Sequence, residues 1–160
     1  MGQANDTGGR DRSCILIVDD HDGVRGLLRT WLGDVFPDLL LLDASTGEEA
    51  VALAVADPPH LVLMDVQLPG IDGMEATRRI KASAPQTRVV MLTSLDDMAL
   101  RVAASAAGAS AYVSKHTMHT ELIPLIQALR TPLDANGERA SDSASTAGTN
   151  LKGDPRRRSE

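Results

Sequence analysis

The stretch Leu61-Val62-Leu63-Met64-Asp65, followed at once by Val66-Gln67-Leu68-Pro69-Gly70-Ile71-Asp72-Gly73, decides how the rest of the chain is read. Consecutive apolar residues that break off at a carboxylate describe a short strand buried on both faces, and such strands belong in a parallel sheet. The Pro-Gly and Asp-Gly pairs that follow mark a tight loop. Working outward, the same design recurs. Cys14 to Val18 ends in Asp19-Asp20, Val89 to Leu92 in Thr93-Ser94, and Ala111 to Val113 in Ser114-Lys115. A further run, Leu39 to Leu42, ends in Asp43. Open parallel sheets bind ligands beyond the carboxyl ends of their strands. Three carboxylates, a hydroxyl and an ammonium should therefore converge on one sheet edge, a set suited to a divalent cation and a phosphoryl group.

Helix signals separate the runs. Asp22 to Gly33 sets Val24, Leu27, Leu28, Trp31 and Leu32 at helical spacing on one face. Thr46-Gly47-Glu48-Glu49 reads as a capping box opening a helix through Ala56, which Pro58-Pro59 stops. Asp72 can cap a third helix that ends before Pro85. The fourth, near Asp97 to Ala107, is rich in alanine: good helix propensity, little side chain to bury, hence weak docking. The fifth places Leu122, Leu125, Ile126 and Leu129 on one face, and Pro124 requires it to begin within about a turn before that residue. Five β-α units with parallel crossovers and helices on both faces make an α/β, doubly wound fold. The expected organisation is an arm at 1–12, one domain at 13–130, and a tail at 131–160 too poor in large apolar residues to fold alone.

Composition narrows the function. In 160 residues with 42% hydrophobic but only 2% aromatic content, Leu, Val, Ile and Ala must fill the core. A formal net charge of −6 argues against a general nucleic-acid binder. The only cysteine, Cys14, has no internal partner and reads as a small buried hydrophobe, which fits a reducing, cytoplasmic location. No signal-peptide core precedes Ser13, and no apolar run approaches the roughly 20 residues of a membrane helix. His21 and His60 are expected to face solvent, and His116 and His119 lack further ligands that would complete a metal site.

Taken in order, Asp19-Asp20, Asp65 with Leu68-Pro69-Gly70-x-Asp72-Gly73, Thr93 and Lys115 resemble the receiver domain of bacterial two-component response regulators. The match runs from about Ser13 to Arg130. The phrases Asp19-Asp20-His21, Val90-Met91-Leu92-Thr93 and Ala107-Gly108-Ala109-x-Ala111-Tyr112-x-x-Lys115 look most like the subgroup that usually carries a helix-turn-helix output domain. The resemblance implies a flavodoxin-like (βα)5 domain with strand order 2-1-3-4-5.

It also implies roles. Asp65 is the phosphoacceptor, taking a phosphoryl group from a sensor histidine kinase or a phosphotransfer protein. Mg²⁺ is the cofactor: Asp20, Asp65 and the Gln67 backbone carbonyl ligate directly, and Asp19 acts through a water. Lys115 and Thr93 engage the phosphoryl oxygens, while small Ser94 leaves access open. Thr93 and Tyr112 form the switch, the tyrosine ring swinging inward as Thr93 moves. The face made by helix four, strand five and helix five then changes population and meets an output partner, or a second copy of the chain. On this reading the chain is a signalling phosphoacceptor rather than an enzyme, with no direct nucleic-acid or membrane contact. One departure stands out: His116 follows Lys115 where many receivers have a proline, so that peptide should be trans, since a non-proline cis bond costs about 3 kcal/mol. Two alternatives stay open. The chain is the truncated N-terminal receiver of a DNA-binding transcriptional regulator, or, less well supported, an aspartate-nucleophile phosphohydrolase, whose D-x-D motif the adjacent Asp19-Asp20 does not supply.

Overall fold

A computed structural model of the chain describes residues 13–130 apart from Asp96; the expected arm at 1–12 and tail at 131–160 lie outside the described residues. Strands and helices alternate throughout: β1 (Cys14–Val18), α1 (Asp22–Val35), β2 (Leu40–Ala44), α2 (Gly47–Ala56), β3 (Leu61–Asp65), α3 (Gly73–Ser83), β4 (Arg88–Thr93), α4 (Met98–Ala107), β5 (Ala111–Ser114) and α5 (Met118–Arg130). The five strands pair in parallel in the order β2-β1-β3-β4-β5, the flavodoxin-like arrangement. By packing, the chain divides into two units, Met1–Pro124 and Leu125–Glu160, with the division falling inside α5. All five strands and α1 to α4 lie in the first unit; the described part of the second is the C-terminal stretch of α5.

Burial follows strand position. Every residue of β3 is buried, as are all but the first residues of β1 and β4. Leu16, Val18, Val62, Met64, Val89 and Met91 share one face with Ala50 and Ala54 of α2, Ala76 and Ile80 of α3, and Ala104 and Ala107 of α4. Ile15, Ile17, Leu63, Val90 and Leu92 alternate with them and so point to the opposite face. The edge strand β2 is different. It starts one residue later than its apolar run and continues past Asp43 to Ala44, so Asp43 lies opposite Ile17 inside the pairing rather than at a strand end. Half-exposed on that edge, it pairs with Arg29 and Arg25 of α1.

The helices show where periodicity alone misleads. α1 buries Leu28 and Leu32, but Leu27 is 58% exposed, so the apolar stripe is narrower than its spacing implies. The α2 cap forms only in part as a box: Thr46 accepts from the Glu49 N–H, while the Glu49 carboxylate reaches Ser45 instead of returning to Thr46. Asp72 caps α3 through the Glu75 N–H. α4 buries only Ala104 and Ala107 and leaves Met98 and Val102 largely exposed. α5 begins at Met118, six residues before Pro124, so the proline sits inside the helix and not in its first turn. Its ring denies the Thr120 carbonyl its usual donor; Leu122 and Ile126, on either side of it, are nevertheless fully buried. Cys14 is half-buried at the start of β1, not enclosed in the core.

Candidate functional site

The carboxyl ends of β1, β3 and β5 deliver charged groups to the same place. β1 places Asp19, 1% exposed, just beyond Val18, where its N–H extends the ladder to the Ala44 carbonyl at 3.2 Å. Asp20 follows it and is more exposed, at 36% of its side chain. At the end of β3, Asp65 is buried, and its Oδ1 accepts the Gln67 N–H at 3.1 Å, which closes the turn into the following loop. Gly73 closes the loop's far end. Its N–H donates to the Val66 carbonyl at 2.9 Å, and a Cβ there would lie 2.1 Å from the Asp65 carbonyl oxygen. Only glycine allows that approach. β5 supplies Lys115, whose N–H continues the pairing to the Thr93 carbonyl at 2.7 Å.

Lys115 ties the ends together. Its ammonium donates to Asp19 Oδ2 at 2.5 Å and to Asp65 Oδ2 at 3.1 Å. Burial opposes the charge on this lysine, but the two carboxylates outweigh it and raise its pKa above the ordinary value. Asp65 is raised as well. Burial is the main cause; the Gln67 N–H and the Lys115 ammonium pull it back, and the Asp19 charge pushes it up again. Asp19 and Asp65 thus share one ammonium, and Asp20 adds a third carboxylate beside them.

That imbalance bears on the implied cation. Asp19, Asp20, His21 and Asp65 each offer a ligand atom within 4.8 Å of the others. Carboxylate oxygens at the mouth of the sheet suit a hard divalent ion, and Mg²⁺ fits such a donor set. Gln67, two residues beyond Asp65, sits beside it with its N–H already on the Asp65 carboxylate. His21 faces solvent as expected, yet it also reaches the acidic pair. Although 70% exposed, its Nδ1 lies 3.1 Å from Asp19 Oδ1 and 3.0 Å from Asp20 Oδ1, and its N–H donates to Asp19. Arg25, which sequence gave no reason to single out, donates to the Asp19 carbonyl at 2.7 Å and pairs with Asp22, fixing the turn that carries both acids. His60 and His116 stand away from the cluster, His60 accepting from the Cys14 N–H at 3.0 Å and exposed.

Thr93 and Tyr112 lie on the adjacent strands β4 and β5, where the register sets Thr93 opposite Ser114 and Tyr112 opposite Met91, and both side chains bond to Leu95. Thr93 is fully buried, and its Oγ1 accepts the Leu95 N–H at 3.0 Å. The Tyr112 hydroxyl donates to the Leu95 carbonyl at 2.6 Å, and the Arg101 guanidinium stands 4.8 Å from its ring centroid. Ser94 between them is exposed and small. The Lys115–His116 peptide is trans, like every peptide among the described residues.

A 2-1-3-4-5 parallel sheet whose carboxyl edge joins an acidic pair, a buried aspartate, a threonine and a bridging lysine defines a signalling receiver. The chain belongs to the response regulator receiver domain family, which it matches over residues 15–127. It is 37% identical over 115 residues to the response regulator UvrY of Escherichia coli O6:H1, a match covering 72% of this chain and 53% of UvrY. It therefore spans about half the length of the curated relatives it matches. Among solved structures, a LuxR-family two-component response regulator from Aurantimonas sp. SI85-9A1 aligns with a TM-score of 0.69 and 34% identity, over 80% of this chain and 88% of that one. The Vibrio cholerae chemotaxis protein CheY4, at 23% identity, shares the fold, with a TM-score of 0.67 over 74% of this chain and 98% of its own.

Proposed function

We propose that the chain is a phosphoacceptor that receives a phosphoryl group on Asp65 from the phosphohistidine of a sensor kinase or phosphotransfer protein. An Asp65 carboxylate oxygen attacks phosphorus, the P–N bond breaks, and the departing imidazole takes up a proton. The observation that carries this reading is the placement of Asp65: buried at a strand end, facing Lys115 at 3.1 Å, beside two further acids. Asp19, Asp20 and Asp65, with the Gln67 carbonyl, would hold Mg²⁺, which when bound offsets the negative charge of the carboxylates and phosphoryl oxygens. Lys115 holds its ammonium between Asp19 and Asp65, where it can pass to the new phosphoryl oxygens.

The state of Asp65 is read at a distance. Thr93 releases Leu95 to meet the phosphoryl group, Tyr112 follows, and the face of α4, β5 and α5 shifts population. The shallow docking of α4, which fully buries only Ala104 and Ala107 and half-buries Leu100 and Ala103, favours that motion, and the exposed Leu95, Met98 and Val102 suit a protein partner or a second copy. A second reading concerns output. The match to about half of UvrY favours a role as the receiver part of a longer response regulator, and the phrases shared with the helix-turn-helix subgroup favour a DNA-binding one. Phosphohydrolase activity is disfavoured, since the adjacent Asp19 and Asp20 supply no D-x-D pair and Asp19 is taken up by Lys115. Beryllofluoride, an acyl-phosphate mimic, tests the proposal. With Mg²⁺ it should shift resonances from Thr93 to Arg130 in the wild type and none in Asp65→Asn; changes confined to α1 and α2 would move the output elsewhere.

A further inference from the structure

The loop from Gln67 to Asp72 carries the carbonyl assigned above to the metal, and a residue outside that site grips it. The Glu48 Oε1 accepts the Ile71 N–H at 3.0 Å across 23 residues of sequence. Gly70 lies directly beneath this carboxylate in the left-handed region, φ 76°, and a Cβ there would stand 2.4 Å from Glu48 Oε1. The neighbouring Gly47 is equally close, since a Cβ on it would stand 2.8 Å from the Ile71 carbonyl oxygen. The start of α2 is thus pressed onto the Gly70–Ile71 turn. The adjacent acid, Glu49, is committed to Ser45 and the cap of its own helix, which leaves Glu48 to reach across. The bond from Ile71, followed by that from its own backbone N–H, keeps the Glu48 carboxyl below the ordinary range, so it stays ionised at neutral pH.

We infer that Glu48 is a positioning residue for the metal side of the site, holding the Gly70–Ile71 turn so that the peptide of Gln67 keeps its direction beside Asp65. The inference rests on the metal role proposed above. Groups that orient ligands without touching the metal commonly govern its affinity. Glu48→Gln keeps an oxygen acceptor for Ile71 but loses the charge; Glu48→Ala loses both.

The test is Mg²⁺ titration of the full chain, followed by NMR, in the wild type and both variants, with amide exchange measured at Ile71. Glu48→Ala should weaken Mg²⁺ binding about fivefold, the effect of one net hydrogen bond, and should speed Ile71 exchange. Glu48→Gln should stay within about twofold of wild type. Unchanged Mg²⁺ affinity in Glu48→Ala would overturn the inference. So would equal losses in both variants, because they would mark the effect as one of charge. Absence of Mg²⁺ binding in the wild type would instead remove the metal role itself, a separate failure.

Discussion

Thr93 and Tyr112 hold the two ends of one residue: the Leu95 N–H donates to Thr93 Oγ1 at 3.0 Å, and the Tyr112 hydroxyl donates to the Leu95 carbonyl at 2.6 Å. A threonine drawn toward Asp65 must give up Leu95, and the tyrosine's anchor moves with it. Thr93→Ala should therefore uncouple the pair. In wild type, beryllofluoride should move the Tyr112 ring resonances; in Thr93→Ala that shift should vanish. Tyr112→Phe should cost about 1 kcal/mol, the net value of one hydrogen bond, and should speed Leu95 amide exchange. A Tyr112 shift that survives in Thr93→Ala would break the link.

Burial of Asp65 has a consequence for stability. Its pKa is raised chiefly by desolvation, so the folded state binds that proton more tightly than the unfolded state does. The contribution is fully present below the unfolded pKa and is lost as pH rises through the folded one. The window opens in the ordinary carboxylate range and closes above it. In EDTA, Asp65→Asn should melt higher than wild type at neutral pH, with the gap shrinking as pH falls through that window. Lys115 keeps Asp19 as its partner in the variant. A neutral-pH melting point below wild type would show that the ion pair outweighs burial.

Mg²⁺ should reverse that penalty. Binding to the folded state alone stabilises by mass action, about 2.7 kcal/mol at a hundredfold excess over Kd. Asp20→Ala should remove most of the rise in melting temperature, since Asp20 is the partly exposed acid at the mouth of the cluster. An equal Mg²⁺ response in both proteins would place the ion elsewhere.

The closure at Gly73 can be tested by adding one methyl group. Gly73→Ala forces a Cβ onto the Asp65 carbonyl and should cost about 3 kcal/mol or more. Gly26→Ala in α1, which meets nothing within 4 Å, should instead stabilise by about 0.5–1 kcal/mol. Chemical denaturation of both variants reads the contrast, and a neutral Gly73→Ala would contradict the close packing.

How far the chain could be read depended on the range of the physics involved. The strands were legible because β1, β3 and β4 are apolar on both faces, and a run broken by a carboxylate marks both a strand and its functional end. β2 slipped by a residue or two because an edge strand tolerates Asp43 in its ladder, given Arg29 and Arg25 beside it. Leu27 matched the helical period yet faces outward; spacing sets a stripe but not its width. Pro124 lies deeper in α5 than proline's missing donor suggests. Asp19, Asp20, Asp65 and Lys115 were all named from sequence, and the sheet brings them together. His21, Arg25 and Glu48 had no place in the site on sequence grounds, because each makes a bond to backbone or to a carboxylate that only the folded chain defines. The Asp19-Asp20-His21 sequence itself was the available hint for the first.

The most direct test is intact mass after incubating the full chain with acetyl phosphate and Mg²⁺. Wild type should gain one phosphoryl group, about 80 Da, and lose the gain when EDTA replaces Mg²⁺; Asp65→Asn should gain nothing under either condition. Undiminished labelling of Asp65→Asn would contradict the assignment of Asp65 as the phosphoacceptor.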